Sequence, residues 1–262
     1  MILPIWALCL IKAEIKKWKR SKILIGIIIL TVILNLFAIE RAFSISRESP
    51  IMDSFGDLYC LAFKNITFVF LPIVIGMIST MLFFDERKND TLKNVLITSV
   101  SRFEVFFAKF ILIELLTIFL MVLTYMSSVL GAVLSAGFVD FNLITLKEAA
   151  ILYMLAALLI PIAMLPVIYI ATFSKSYVLP ISMCLLYLGI GIFGASILVH
   201  IHPLASLLGV YQNVSSAAKE MVENSIGGYS LNVSQFSCLL HILTIGTLFF
   251  VFSIKSMKRQ NY

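Results

Sequence analysis

The chain has 262 residues, is 61% hydrophobic and only 13% charged, and has a mean hydropathy of +1.04. A soluble domain carries about 25% charged residues, so a water-soluble globular enzyme is excluded. The net charge of +6 tracks membrane topology rather than a nucleic-acid partner, because the basic residues alternate with apolar stretches.

Residues Pro4–Arg20 open the chain as a basic amphipathic segment. Leu8, Ile11, Ile15 and Trp18 recur at helical spacing, and Lys12, Lys16, Lys17 and Arg20 cover the rest. This pattern predicts a helix lying in the headgroup layer, its lysine stems reaching water. Six apolar stretches follow: Ile23–Ile39, Asn65–Phe84, Val105–Leu134, Ala149–Phe173, Tyr177–Val199 and Cys238–Ile254. A hydrocarbon core of about 30 Å takes roughly 20 helical residues. Backbone amides in lipid are satisfied only within the segment, so each stretch reads as a helix. The predicted fold is a single all-α, polytopic membrane domain over residues 1–262, with six transmembrane helices. The first span follows a long basic segment without an Ala-x-Ala site, so it is expected to stay as an anchor.

Fifteen of the 20 Lys and Arg residues fall on one side of this arrangement and five on the other. The positive-inside rule places both termini in the cytoplasm, as an even number of spans requires. On the outer side, Glu40–Lys64 reads as a short polar loop with turns at Pro50, Asp53 and Gly56, and Asn142–Lys147 as a tight turn. Ser174–Ser176 reads as a tight inner turn. Pro161, Pro166 and Pro180 mark sites where the fourth and fifth helices can kink. Residues 200–237 are expected to form one or two short helices capping the outer end. Pro203–Tyr211 is apolar but too short to cross.

The inner loop 85–102 carries the strongest local signals. Asp90 is a good N-cap for a short helix from Thr91, with Leu92, Val95 and Leu96 on one face and Lys93 and Asn94 on another. Ser101 and Glu104 form a capping box, so the third helix is expected to begin near Arg102. From there to Leu134 is about 50 Å of helix, longer than the bilayer needs. The amphipathic loop helix fits either a protein partner or the lipid surface.

No residue pattern supports catalysis or metal binding. The glycine run Gly189, Gly191 and Gly194 has Ala195 where a phosphate-binding loop needs lysine. His200 and His202 lack a third ligand. No intramembrane protease motif is present. Cys9, Cys60, Cys184 and Cys238 have no redox or metal spacing, although Cys60 and Cys238 both fall near the outer face. Glu114 is the clearest charge within a span, and such charges are functional candidates. Lys109, five residues before it, lies about 140° around the helix and is poorly placed to pair with it.

The series Glu86, Thr91-Leu92, Val95-Leu96, Ser101-Arg102 and Lys109 between spans two and three resembles the permease subunits of type-2 ABC transporters. It is most similar to the bacitracin and lantibiotic-resistance branch. Asp90 stands where that family usually has glycine, and Ser99 where it has proline. The resemblance implies a permease subunit driven by a separate cytosolic ABC ATPase, which binds the ATP; this chain itself is expected to bind no cofactor. Leu92, Val95 and Leu96 would fill a groove of the ATPase, with Glu86, Lys93 and Arg102 at its rim. A second permease copy or a homologue would complete the pathway. The expected activity is export of an amphiphilic peptide antibiotic or lipid-like compound. Two alternatives stay open on the residues: a non-transporting sensor or assembly factor using the same loop, and an ion-coupled carrier using Glu114.

Overall fold

The computed structural model describes residues 22–44, 54–88, 101–135 and 138–259, together with Lys12, Ile15 and Lys16. These residues are helical, with turns and no strand among them. The elements are α1 (Lys22–Ser44), α2 (Phe55–Asn65), a π-turn (Ile66–Phe70), α3 (Leu71–Lys88), α4 (Arg102–Ser135), α5 (Leu143–Ala163), α6 (Leu165–Phe173), α7 (Val178–Phe193), α8 (Pro203–Tyr211), α9 (Ser216–Ser225) and α10 (Gln235–Arg259). Five continuous or nearly continuous helices are long and apolar enough to cross a membrane: Lys22–Ser44, Phe55–Phe84, Arg102–Ser135, Leu143–Phe173 and Gln235–Met257. The expected N-terminal helix 4–20 lies outside the described residues except for Lys12, Ile15 and Lys16.

The second membrane helix starts ten residues earlier than the hydropathy suggested. Asp57 and Lys64 interrupt the apolar run, yet neither faces the core. Asp57 closes a capping box with Ser54: its backbone N–H donates to Ser54 Oγ at 3.0 Å, and Ser54 N–H donates to its carboxylate at 3.2 Å. Lys64 is exposed, while Phe55, Leu58, Tyr59, Ala62, Phe63 and Ile66 form a buried stripe at helical spacing. Asp140 reaches across to accept the Phe55 and Gly56 N–H groups at 2.7 and 3.1 Å. The side chains of Ser54 and Asp140 thus satisfy N–H groups that a helix start leaves open. Gly56 is therefore part of a helix, not a turn. Asn142 likewise caps α5, accepting from Ile144 and Thr145 at 2.8 and 3.1 Å, so the expected turn at 142–147 is mostly helix.

The fourth membrane helix breaks between α5 and α6 at Met164, between Pro161 and Pro166. Val167 N–H donates to Met164 O instead of Ala163 O. The freed Ala163 carbonyl accepts from Tyr187 OH at 2.7 Å, so the break remains satisfied inside the membrane. Gly246 passes the break closely, since a Cβ there would stand 2.5 Å from Ile162 Cγ2.

The fifth apolar stretch differs most from expectation. α7 has 16 residues, about 24 Å of rise, short of a 30 Å core. After Phe193 the chain steps back. His202 packs on the Tyr187 ring of α7 with centroids 4.2 Å apart. α8 then climbs again beside α10, with Ser206 at His241 and Gly209 at Cys238. Residues Ala205 to Tyr211 are buried throughout. The intervening turns satisfy themselves, with the Leu198 and His202 N–H groups donating to the Gly194 and Leu198 carbonyls at 2.8 Å; Ala195, Val199 and His202 pack inward while Phe193, Ile197 and Ile201 are exposed. α9 follows as a second short helix, tied to α2 by Tyr59 OH and Ser215 Oγ at 2.8 Å. Gly227 and Gly228 end it with φ of 81° and 83°, the left-handed region that glycine enters freely.

Cys60, Cys184 and Cys238 are buried free thiols, so Cys60 and Cys238 do not pair. Cys184 occupies the space a side chain at Gly76 would need, with Sγ 2.5 Å from the ideal Cβ position. Gly76→Ala is expected to destabilise the chain by ~1–3 kcal/mol through overpacking. Thermal unfolding in detergent reads this, and adding Cys184→Ala should recover most of the loss.

Candidate functional site: the basic end of the bundle

Lys22, Arg102, Lys175 and Lys255 mark one end of the bundle, the basic end. There the starts of α4 and α7 meet the ends of α3 and α10. The predicted capping box at the start of α4 is present. Ser101 N–H donates to Glu104 Oε2 at 2.7 Å, and Glu104 N–H donates to Ser101 Oγ at 3.3 Å. α4 begins at Arg102 and runs 34 residues, about 51 Å, so it exceeds the hydrocarbon core by about 20 Å.

Three contacts bind the start of α4 to its neighbours. The Arg102 guanidinium donates to the Met257 carbonyl near the end of α10. Arg102, expected at the rim of a partner groove, therefore also has a partner within the chain. Lys109 is 2% exposed. Its ammonium donates to the Leu82 carbonyl of α3 and lies 4.9 Å from the centroid of the Phe83 ring. A buried ammonium is costly unless hydrogen-bonded, and these contacts explain how the chain holds one here.

The third contact is an aromatic cluster. Phe103, Phe106 and Phe110 lie along one face of α4 at the i, i+3, i+7 spacing. Phe250 of α10 sits against all three, with centroids 6.2, 5.1 and 6.1 Å away. Phe106 also stacks on Phe83 of α3 at 5.8 Å. Phe84 meets Tyr177 before α7 at 4.2 Å. Edge-to-face aromatic pairs add about 0.5–1.5 kcal/mol each beyond their buried area. The end of α3, the start of α4 and the end of α10 are thereby clamped together. The spacing of Phe103, Phe106 and Phe110 signals a shared face, but nothing along the chain points to Phe250 as the ring that meets it.

Of the sequence-predicted site residues, the structure places Ser101, Arg102 and Lys109 in this clamp. Glu86 falls on the last turns of α3. Asp90, Thr91, Leu92, Lys93, Val95 and Leu96 lie outside the described residues. Glu114 sits one turn deeper on α4, half-buried, and its Oε2 is buried without a hydrogen-bond partner among the described residues. Further along the same helix, Thr124 Oγ1 accepts from Asn35 Nδ2 of α1 at 3.4 Å, a weak polar link between buried faces.

The histidines of the other end take hydroxyl and ring partners. His241 Nδ1 is 2.7 Å from Ser206 Oγ, and His202 stacks on Tyr187. No group of three His, Cys, Asp or Glu suited to a metal occurs among the described residues.

Long apolar helices and a broken helix buried in protein define a multi-pass helical membrane protein. A family model described as ABC-2 family transporter protein matches residues 10–191. The chain therefore belongs to the ABC-2 transporter family and is a membrane permease; that family normally works with a cytosolic ABC ATPase. Comparison with curated proteins returns no match.

Proposed function

We propose that the chain is the permease subunit of an ATP-driven exporter of the bacitracin and lantibiotic-resistance type. Its basic end faces the cytoplasm, with both termini inside and six crossings, the fifth made of α7 and the step to α8. The loop 85–102 docks on a separate ABC ATPase through Leu92, Val95 and Leu96. Two permease chains, identical or homologous, form the pathway for an amphiphilic peptide or lipid-like cargo.

The observation that carries this reading is the junction at Ser101. A 34-residue helix starts there on a formed capping box, immediately after the family-like loop. Its first turns are clamped to α3 and α10. A push on the loop would move these ends as one body, because packed elements shift rigidly rather than deform. Opening would then follow from rocking α3 and α4 against the rest.

The reading is tested in inside-out vesicles containing the permease and its ATPase. A fluorescent amphiphilic peptide should accumulate with ATP and fail to do so when the Walker lysine of the ATPase is replaced. Accumulation driven by an ion gradient without ATP would favour the carrier alternative, to which the unpartnered Glu114 oxygen lends its one observation. Glu114→Gln is expected to leave ATP-driven accumulation within about twofold of the unaltered chain, a change below ~0.5 kcal/mol; under the carrier alternative it abolishes transport.

A further inference from the structure

At the end opposite the basic end, a recess of about 400 Å³ lies between the end of α8, α9 and the extended chain that leads to α10. This volume is within the ~300–1,000 Å³ typical of small-molecule sites. Gln212, Asn213, Lys219, Ser230 and Asn232 give it a polar lining, and Leu231 and Val233 add two aliphatic patches. Asn213, Lys219, Ser230 and Asn232 are exposed, so a ligand can reach them from water.

The walls are fixed within the chain. Gln212 is 8% exposed, and its Nε2 donates to the Leu231 carbonyl at 2.9 Å, tying the extended chain to the end of α8. Val233 packs on Gly209, where a Cβ would stand 2.9 Å from Val233 Cγ2. Ser234 Oγ accepts from the Ser237 N–H at 3.2 Å where α10 begins. A preformed site spares the ligand the cost of ordering its walls.

The lining selects the class of ligand. Asn213 Nδ2 donates to the Gly209 carbonyl at 2.8 Å, which leaves its Oδ1 as an acceptor. Asn232 and Ser230 each carry both donor and acceptor, and the Lys219 ammonium has three donors. Lys219 stands 4.0 Å from Glu223, and Glu220 lies on the same helix, so the recess has no net positive charge to hold an anion. Neutral groups that donate and accept, set beside aliphatic patches, match a sugar ring, with hydroxyls around its edge and C–H bonds on its faces.

We infer that this recess binds a saccharide, its hydroxyls paired with Asn213, Lys219, Ser230 and Asn232 and one C–H face resting on Leu231 and Val233. The sugar is free in solution or is the headgroup of a glycolipid. The site does not depend on the ATP-driven reading, and binding by the full chain alone tests it.

The probes are maltose, lactose and chitobiose, each added to the full chain in phosphatidylcholine nanodiscs and followed by saturation-transfer NMR. At least one should bind saturably. Asn213→Leu and Asn232→Leu should each weaken that binding about fivefold, as the loss of one net hydrogen bond predicts. Ser230→Trp, which fills the recess from an exposed position, should abolish it. Asn224→Leu, exposed on α9 outside the lining, should leave it unchanged. Adding a diglucosyl diacylglycerol to the nanodiscs separates the sources: competition with the bound disaccharide marks a glycolipid headgroup, and no competition marks a soluble sugar. Failure of all three disaccharides to bind would overturn the inference. So would binding unaffected by Ser230→Trp, or equal displacement by glycerol 3-phosphate.

Discussion

Leu96→Asp is expected to abolish co-purification of the ATPase while leaving the permease inserted and folded. Under the proposed docking, Leu96 belongs to the apolar face formed with Leu92 and Val95. A carboxylate there would have to be desolvated without a partner, which groove contacts cannot offset. Anchors of this kind cost at least ~2 kcal/mol when disrupted, roughly thirtyfold in Kd. Transport should fall with association. Asn94→Asp adds the same charge on another face of the expected helix and should keep the ATPase bound. Affinity purification of a tagged permease from membranes expressing both subunits measures each case. Equal recovery of the ATPase with Leu96→Asp would remove the docking role from this face.

Lys109→Met is expected to separate ATP hydrolysis from transport. The lysine crosses from α4 to the Leu82 carbonyl and the Phe83 ring of α3. Methionine keeps most of the apolar stem but loses the hydrogen bond and the cation–π contact, a combined loss of about 1–3 kcal/mol. The aromatic contacts of Phe250 remain, so the fold should persist with a lower Tm. Under the proposed docking on the loop 85–102, the ATPase should still bind and hydrolyse ATP. Transport per ATP should drop about tenfold, corresponding to ~1.4 kcal/mol lost from the coupled step. Lys109→Arg, which retains a cationic donor, should recover part of it. A Lys109→Met complex with normal transport per ATP would show that α3 and α4 need no such link.

Local signals in the chain were read correctly where the structure depends on near neighbours. The Ser101 and Glu104 pair located the start of α4 to the residue. Pro203 to Tyr211 and the double glycine at 227–228 located the short helices between α7 and α10. Hydropathy alone failed where charged residues serve caps or point outward, as Asp57 and Lys64 do in the extension of the second membrane helix. It failed again after Phe193, because apolar residues continue whether a helix crosses lipid or folds back inside protein. In the site, the acceptor for Lys109 is a backbone carbonyl 27 residues away, and the ring that joins Phe103, Phe106 and Phe110 comes from the last helix. Such partners follow from tertiary packing and leave no trace in spacing along the chain.

The most direct test of the ATP-driven account places a photoreactive phenylalanine analogue at position 95 of the full chain, in cells that also express the genes around it. Irradiation should yield an adduct with a cytosolic protein whose peptides include a Walker lysine, and Leu96→Asp should remove that adduct. Adducts with lipid alone, or with a protein on the opposite side of the membrane, would contradict the account.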